Sequence, residues 1–211
     1  MTDPFASLPR RDYQLLLADP AWATRTYDGR DRTPTQKRGE DHYVTMPINE
    51  LMALPVASIA ARDALLAMWV IGSHLDQALA LGEAWGFRFV TDLFYWTKQK
   101  LVHADQIDLF TGDIAEPRIS MGYHSRKQVE PCWLFARGKG LPVRHNDVRQ
   151  LIIAPTAEHS RKPAEQYDRL ARLYGGPNEI RCVELFSRTP RTGWDAWGNE
   201  IGKFAEEASC G

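Results

Sequence analysis

At 211 residues, with 44% apolar and 25% charged side chains, the chain suits one globular domain with a substantial core. No stretch approaches 18 consecutive apolar residues, which excludes a transmembrane helix, and residues 1–12 carry Pro4, Pro9, Arg10 and Arg11 where a signal peptide needs an apolar core. Cys132, Cys182 and Cys210 are odd in number, widely spaced and without a Cys-x-x-Cys pair, so no zinc site or disulfide framework is suggested and a reducing cytoplasmic setting is expected.

The first predicted element is a strand over 13–18. Residues 15–22 read Leu-Leu-Leu-Ala-Asp-Pro-Ala-Trp, an apolar run of the kind that fills a buried parallel strand, stopped by a turn signal. Ligands of open α/β sheets sit just beyond the carboxyl ends of such strands. Asp19, Pro20, Ala21 and Trp22 would there offer a carboxylate, a free backbone carbonyl and a flat ring, which suit an exocyclic amine on an aromatic base. A strand followed by a plain Asp-Pro turn fits these four residues equally well.

Residues 23–42 are polar, with Arg25, Arg30, Arg32, Lys37 and Arg38, and too long for a simple connection. A short helix is expected over 47–54 and a second apolar strand over 64–71. Gly72-Ser73 then caps a helix with Leu75, Ala78, Leu79 and Trp85 on one face and Gly86 past its end, while Gly82 weakens the helix's second half. A third strand spans 87–97, a polar loop 98–128, and two more strands 130–136 and 150–154.

The net charge of −1 hides an asymmetry, because residues 118–149 carry seven Lys or Arg against Glu130 and Asp147. Such a surface can attract a polyanion, although it reads as well as an ordinary solvated face. The best-marked helix follows, with Pro163 and Glu165 in its first turn, Tyr167, Leu170, Leu173 and Tyr174 on one face, and Gly175-Gly176 at its end. A final strand is expected over 181–187, then a loop with Trp194, Trp197, Gly198 and Asn199. Strands alternating with helices predict a single α/β domain over 1–211, three layers around a mostly parallel sheet.

Six blocks in this order resemble the MT-A70-like adenine-N6 methyltransferases, the family of the catalytic subunit of the eukaryotic messenger-RNA adenosine methyltransferase and of many bacterial and phage proteins. They are Asp19–Trp22; His42-Tyr43-Val44-Thr45-Met46; Gly122-Tyr123 with Arg126 and Glu130; residues 158–163; residues 183–188; and residues 193–200. Two departures stand out. Ala21 replaces a second proline, and the chain begins too close to its first strand for the upstream acid that contacts the cofactor's adenine in larger relatives.

The resemblance implies a Rossmann-like fold with permuted motif order, catalytic turn first and cofactor half last, and S-adenosylmethionine as cofactor. By the same resemblance Asp19 and the Pro20 carbonyl hold the amine, Trp22 stacks on the base, and Tyr43 closes the other side of the slot. Lys162 matches the lysine on the cofactor's carboxylate, Arg188 a position near the ribose, and Asn199 with Glu200 the ribose and adenine edge. Glu184, inside an apolar strand, is implied to face the cofactor pocket; a salt bridge to a nearby arginine would also account for it. Lys162 reads equally as a solvated flanking residue, Trp22 and Tyr43 as core aromatics, and the loop residues as turn chemistry.

DNA is the expected substrate, with a target base that must leave the duplex stack to react. Residues 23–42 and 98–128, including Arg126, are candidates for backbone contacts. The chain has little room for a separate recognition domain, so a short recognition sequence, a homodimer or a partner subunit is expected. RNA as substrate and a catalytically silent nucleic-acid-binding subunit remain the alternatives. Silent subunits of the family lose the catalytic acid and aromatic, which this chain keeps.

Overall fold

A computed structural model describes residues 3–23, 45–99, 119, 124–156, 161–199 and 201. In chain order the elements are β1 (Tyr13–Ala18), α1 (Ile48–Ala53), β2 (Ala60–Trp69), α2 (Leu75–Ala84), β3 (Arg88–Gln99), β4 (Val129–Arg137), β5 (Leu151–Pro155), α3 (Glu165–Tyr174), β6 (Cys182–Leu185) and β7 (Trp194–Trp197).

The triple-leucine strand lies inside the sheet because both of its faces and both of its edges are covered. The strands run in the order β5-β3-β4-β2-β1-β6-β7, and β1 pairs in parallel with β2 (Leu16↔Leu66) and with β6 (Leu16↔Val183). β4 alone opposes its neighbours, pairing antiparallel with β2 and β3, so the sheet is mostly parallel as expected.

Alternation along β1 sends Tyr13, Leu16 and Ala18 to one core, shared with Leu51 of α1 and Ala78 and Leu81 of α2. Leu15 and Leu17 go to the other core, shared with Leu170 and Tyr174 of α3. Helices on both faces make the three layers, a Rossmann-like α/β architecture. Each fully buried leucine contributes about 1.5–3 kcal/mol to that arrangement. Among the described residues no helix is long and apolar enough to cross a membrane.

Three expectations need correction. The second strand begins at Ala60 rather than at residue 64 and ends at Trp69, since Ala60 pairs with Tyr13 of β1 ahead of the polar Arg62 and Asp63, while pairing with β4 covers Ala64 to Trp69. The expected final strand is followed by another: Trp194–Trp197 pairs in parallel with Cys182–Leu185 over all four residues. Four residues containing an aspartate give too little period-2 signal to mark this edge strand.

The apolar face of α2 is also different. Leu75 and Leu79 are exposed, and the buried stripe is Ala78, Leu81, Gly82 and Trp85. Gly82 therefore marks the contact and does not weaken the helix there. A Cβ placed on it would lie 2.3 Å from Cε1 of Phe135, a buried ring on β4. Gly82→Ala should thus lower stability by about 1–3 kcal/mol through overpacking, against the ~1 kcal/mol gain that alanine brings to an open helix. Urea denaturation of the two proteins reads this directly.

The last helix behaves as its pattern predicts. Leu170 and Tyr174 are buried, Tyr167 and Leu173 pack at the rim, and Gly175 takes φ +106 where the chain leaves the helix.

Candidate active site

β1 and β6 are neighbours and parallel, so their carboxyl ends open at the same edge of the sheet, beside the start of α3. A cleft of about 540 Å³, measured out to its open mouth, lies there. Four of the expected residues line it: Asp19 just after β1, Lys162 before α3, Glu184 on β6 and Arg188 after β6.

Asp19 and Lys162 meet directly. Lys162 Nζ donates to Asp19 Oδ2 at 2.6 Å, with the lysine side chain 11% and the aspartate 29% exposed. The same ammonium lies 3.6 Å from Glu130 Oε2 on β4 and 5.7 Å from the centre of the Trp69 ring. Glu130 is also paired with Lys98. Burial pushes the Glu130 carboxyl up, but the two lysines outweigh it and hold the group below its ordinary value. Lys162 is thus a bound, desolvated cation shared between two carboxylates, not a solvated flank.

Among the described residues, Glu184 is held by two hydroxyls and not by a salt bridge. Tyr167 Oη donates to its Oε1 at 3.0 Å and Ser187 Oγ to its Oε2 at 2.9 Å. Burial is the main influence and raises its carboxyl above the ordinary value; the two hydroxyl donors oppose this. Burial likewise pushes the Tyr167 phenol up. Arg191 lies over the Tyr167 ring at 3.9 Å, which closes this side of the cleft.

The floor turns sharply at Phe186, which holds φ +63 and lines the cleft. A side chain in that region costs on the order of 1–3 kcal/mol unless packing imposes it. Here the ring is stacked on Trp85 and met edge-on by Trp197. Gly198 allows the closure: a Cβ on it would lie 2.7 Å from the Ser187 carbonyl oxygen. Ser187, fixed by its N–H to the Trp197 carbonyl, can then reach Glu184.

The turn after β1 is tied down atom by atom. The Trp22 N–H donates to the Pro20 carbonyl (2.8 Å) and the Met46 N–H to the Ala21 carbonyl (2.8 Å). The Pro20 oxygen, expected to be free, therefore has one lone pair engaged and one remaining.

Trp22 departs most from expectation. Its ring is 2% exposed, packed in the core, with Nε1 donating to the Trp69 carbonyl at 3.3 Å. It anchors the turn from beneath and does not offer a face to the cleft.

Asn199 is exposed on the turn after β7 and is not among the residues lining the cleft, and Arg126 is exposed just before β4. Tyr43, Glu200, residues 158–160 and most of the two polar loops lie outside the described residues. Within the basic segment, Arg144 pairs with Glu179 and Arg137 donates to the Ala57 carbonyl, so part of that charge is structural. Sequence reading missed Glu130, Gln166, Tyr167 and Ser187 as site residues. Tyr167 was visible as a hydroxyl in the first turns of the apolar face of α3, three residues before Leu170. Burial pushes the thiol of Cys182 up to about 12 and that of Cys132 upward as well, which leaves neither suited to act as a nucleophile.

A carboxylate-bearing turn and a second, hydroxyl-held carboxylate meet at adjoining carboxyl ends of a mostly parallel sheet, the arrangement of a Rossmann-like α/β domain. The MT-A70 family profile matches residues 13–200. The Type II methyltransferase M.MunI of a Mycoplasma species is 31% identical over 95% of this chain and 83% of its own length. The N(6)-adenine-specific methyltransferase METTL4 of Mus musculus is 26% identical over 92% of the chain, and the N6-methyladenosine RNA methyltransferase MTA1 of Pyricularia oryzae 27% over 94%. The chain spans 38% and 49% of those two longer proteins. The chain belongs to the MT-A70 family of adenine-N6 methyltransferases.

Proposed function

We propose that this chain transfers a methyl group from S-adenosylmethionine to the N6 amino group of adenine in DNA, with Asp19 as the residue that holds the amine. The observation that carries this reading is the Asp19 carboxylate at the mouth of β1, sharing one cleft with Lys162 and Glu184.

The residues present fit the cofactor. Lys162 is a desolvated cation for its carboxylate, and Glu184, its oxygens already aligned by two hydroxyls, suits its ribose diol. Arg188 lies at the cleft wall beside them. Asn199 and Glu200 are the proposed contacts to the adenine edge, Tyr43 the second wall of the base slot, and Arg126 a contact to the nucleic-acid backbone. When bound, the cofactor supplies a methyl carbon already activated by its sulfonium, so little acid–base catalysis is required.

The obstacle is on the acceptor side, where the amino lone pair of adenine is delocalised into the ring. Asp19 and the remaining lone pair of the Pro20 carbonyl accept its two N–H bonds and favour a more pyramidal nitrogen. Both bonds strengthen as positive charge develops on that nitrogen, which is stabilisation of the transition state over the ground state. Alignment in a fixed turn can contribute about 7–11 kcal/mol on the scale of intramolecular reactions. Trp22 serves by fixing that turn from the core.

DNA is favoured over RNA because the relative covered over most of its length is a Type II methyltransferase, whereas the RNA-named relative is twice as long as the matched part. A homodimer or a partner subunit is proposed to complete sequence recognition. Incubation with the cofactor and either DNA or RNA, followed by digestion and mass spectrometry of N6-methyladenine, tests the reading. Product on RNA alone would change the substrate, and no cofactor binding at all would sink the assignment.

Glu184 gives a pH signature. Binding needs its charged form, and its carboxyl is raised above 4.5, so cofactor affinity should fall as pH drops through that raised value. Glu184→Gln should remove this pH dependence and weaken binding at neutral pH by about tenfold, the scale of a hydrogen bond to a charged group. Isothermal titration calorimetry from pH 8 down to pH 4 would show it, where a flat wild-type profile contradicts the assignment of Glu184.

A further inference from the structure

We propose that His74 is a positioning residue for methyl transfer: it anchors Ala23, the residue on which the Asp19–Trp22 turn ends, and so sets the orientation of the amine acceptors. The inference rests on the enzymatic reading above and adds a residue to it.

Among the described residues three polar side chains are buried, His74, Gln166 and Ser187. Gln166 accepts from Trp69 Nε1 at 2.7 Å and Ser187 supports Glu184, so both serve the cleft. His74 is the third, and the mechanism as described does not use it. Burying an imidazole is costly unless both ring nitrogens are satisfied, and both are. Nε2 lies 2.9 Å from the Ala23 carbonyl, which can only accept, so Nε2 carries the hydrogen. Nδ1 lies 2.8 Å from Ser73 Oγ and, in the neutral ring, accepts from that hydroxyl. The imidazole also packs at 5.7 Å against the Trp22 ring.

The residue itself cannot drift. Its N–H donates to the Ile71 carbonyl and its own carbonyl caps α2 by accepting from Ala78 N–H, each at 2.8 Å. One end of the tether is therefore the rigid β2–α2 connection. The other is the backbone three residues beyond Pro20, whose carbonyl is one of the two proposed acceptors. The neighbouring bonds of the turn (Met46 to Ala21, Trp22 to Trp69) fix Ala21 and Trp22, and His74 holds Ala23. Sites held by such supporting bonds lose rate when the support goes, since a displacement of ~1 Å can cost up to 10²-fold.

The test compares the full chain with His74→Phe, His74→Gln and Ser73→Ala for kcat and KM on DNA, cofactor Kd and Tm. His74→Phe keeps the volume and removes the donor; kcat should fall about tenfold while cofactor Kd changes by less than about twofold. His74→Gln, whose amide can still donate to Ala23, should recover most of the loss. Ser73→Ala does not disturb the core and should give a smaller drop in kcat, so the inference stays testable if His74→Phe fails to fold. Three results would overturn it: unchanged turnover in His74→Phe and Ser73→Ala, parallel loss of cofactor affinity and turnover, or no recovery with glutamine. Failure of the enzymatic reading shows separately, as no N6-methyladenine from the unsubstituted chain on either nucleic acid.

Discussion

Asp19→Ala is expected to reduce N6-methyladenine formation by about 10³-fold, the scale of removing one preorganised group that stabilises developing charge. The fold should survive. The carboxylate lies beyond the end of β1, is 29% exposed, and takes no part in the sheet. Nor does its removal strand the lysine, because Lys162 Nζ retains Glu130 at 3.6 Å and the Trp69 ring at 5.7 Å. Asp19→Asn sharpens the argument. It keeps the shape and one acceptor oxygen but replaces charge with a dipole and turns one acceptor into a donor. If accepting from the amine is the role of Asp19, asparagine should be nearly as inactive as alanine, with cofactor Kd changed only a few-fold in both. Mass spectrometry of digested DNA measures turnover and calorimetry measures binding. An asparagine variant retaining more than about a tenth of wild-type turnover would show that neither charge nor the second acceptor matters, and the amine-holding role would fall.

How much of this was legible follows from where the signal is physically strong. β1 could be read to the residue because a strand buried on both faces must be apolar throughout, and its end is punctuated by Asp-Pro. α3 was legible for a similar reason, its stripe and glycine stop being complete. The stripe of α2 was misread because contact there is made by the absence of a side chain: Gly82 admits Phe135, and hydropathy assigns no value to a gap. β7 is short, edge-lying and interrupted by Asp195, whose carboxylate accepts from the Tyr13 hydroxyl at 2.6 Å instead of disrupting the sheet.

Within the site, Asp19, Lys162, Glu184 and Arg188 were named from motif resemblance and share the cleft. Side-chain direction was the harder inference. Trp22 follows Asp19 by three residues, yet the turn rotates its ring into the core. Glu130 and Tyr167 were visible as residues but not as neighbours of Lys162 and Glu184, since those contacts join β4 to the segment before α3, and α3 to β6, through the folded sheet.

Lys162→Ala is the substitution expected to reach furthest beyond its own contacts. Lys162 is proposed to hold the cofactor's carboxylate, and it also sits between two acids, Asp19 and Glu130. Truncating one member of a desolvated charge pair typically costs 2–5 kcal/mol, so cofactor Kd should weaken by about 10²-fold. Its loss also removes one of the two lysines that hold Glu130 below its ordinary value, leaving burial opposed by Lys98 alone. The Glu130 carboxyl should therefore titrate at higher pH in the variant, a shift that carbonyl NMR can follow. Lys162→Arg should not restore function, because a planar fork cannot replace a compact ammonium poised between two carboxylates and an indole. A double-mutant cycle with Glu130→Gln separates the roles. If Glu130 acts by holding Lys162 in place, the combined loss should be smaller than the sum of the single losses, because both variants remove one interaction. Additive losses would mean that Glu130 acts on the substrate independently. An unchanged cofactor Kd in Lys162→Ala would return Lys162 to the status of a flanking lysine.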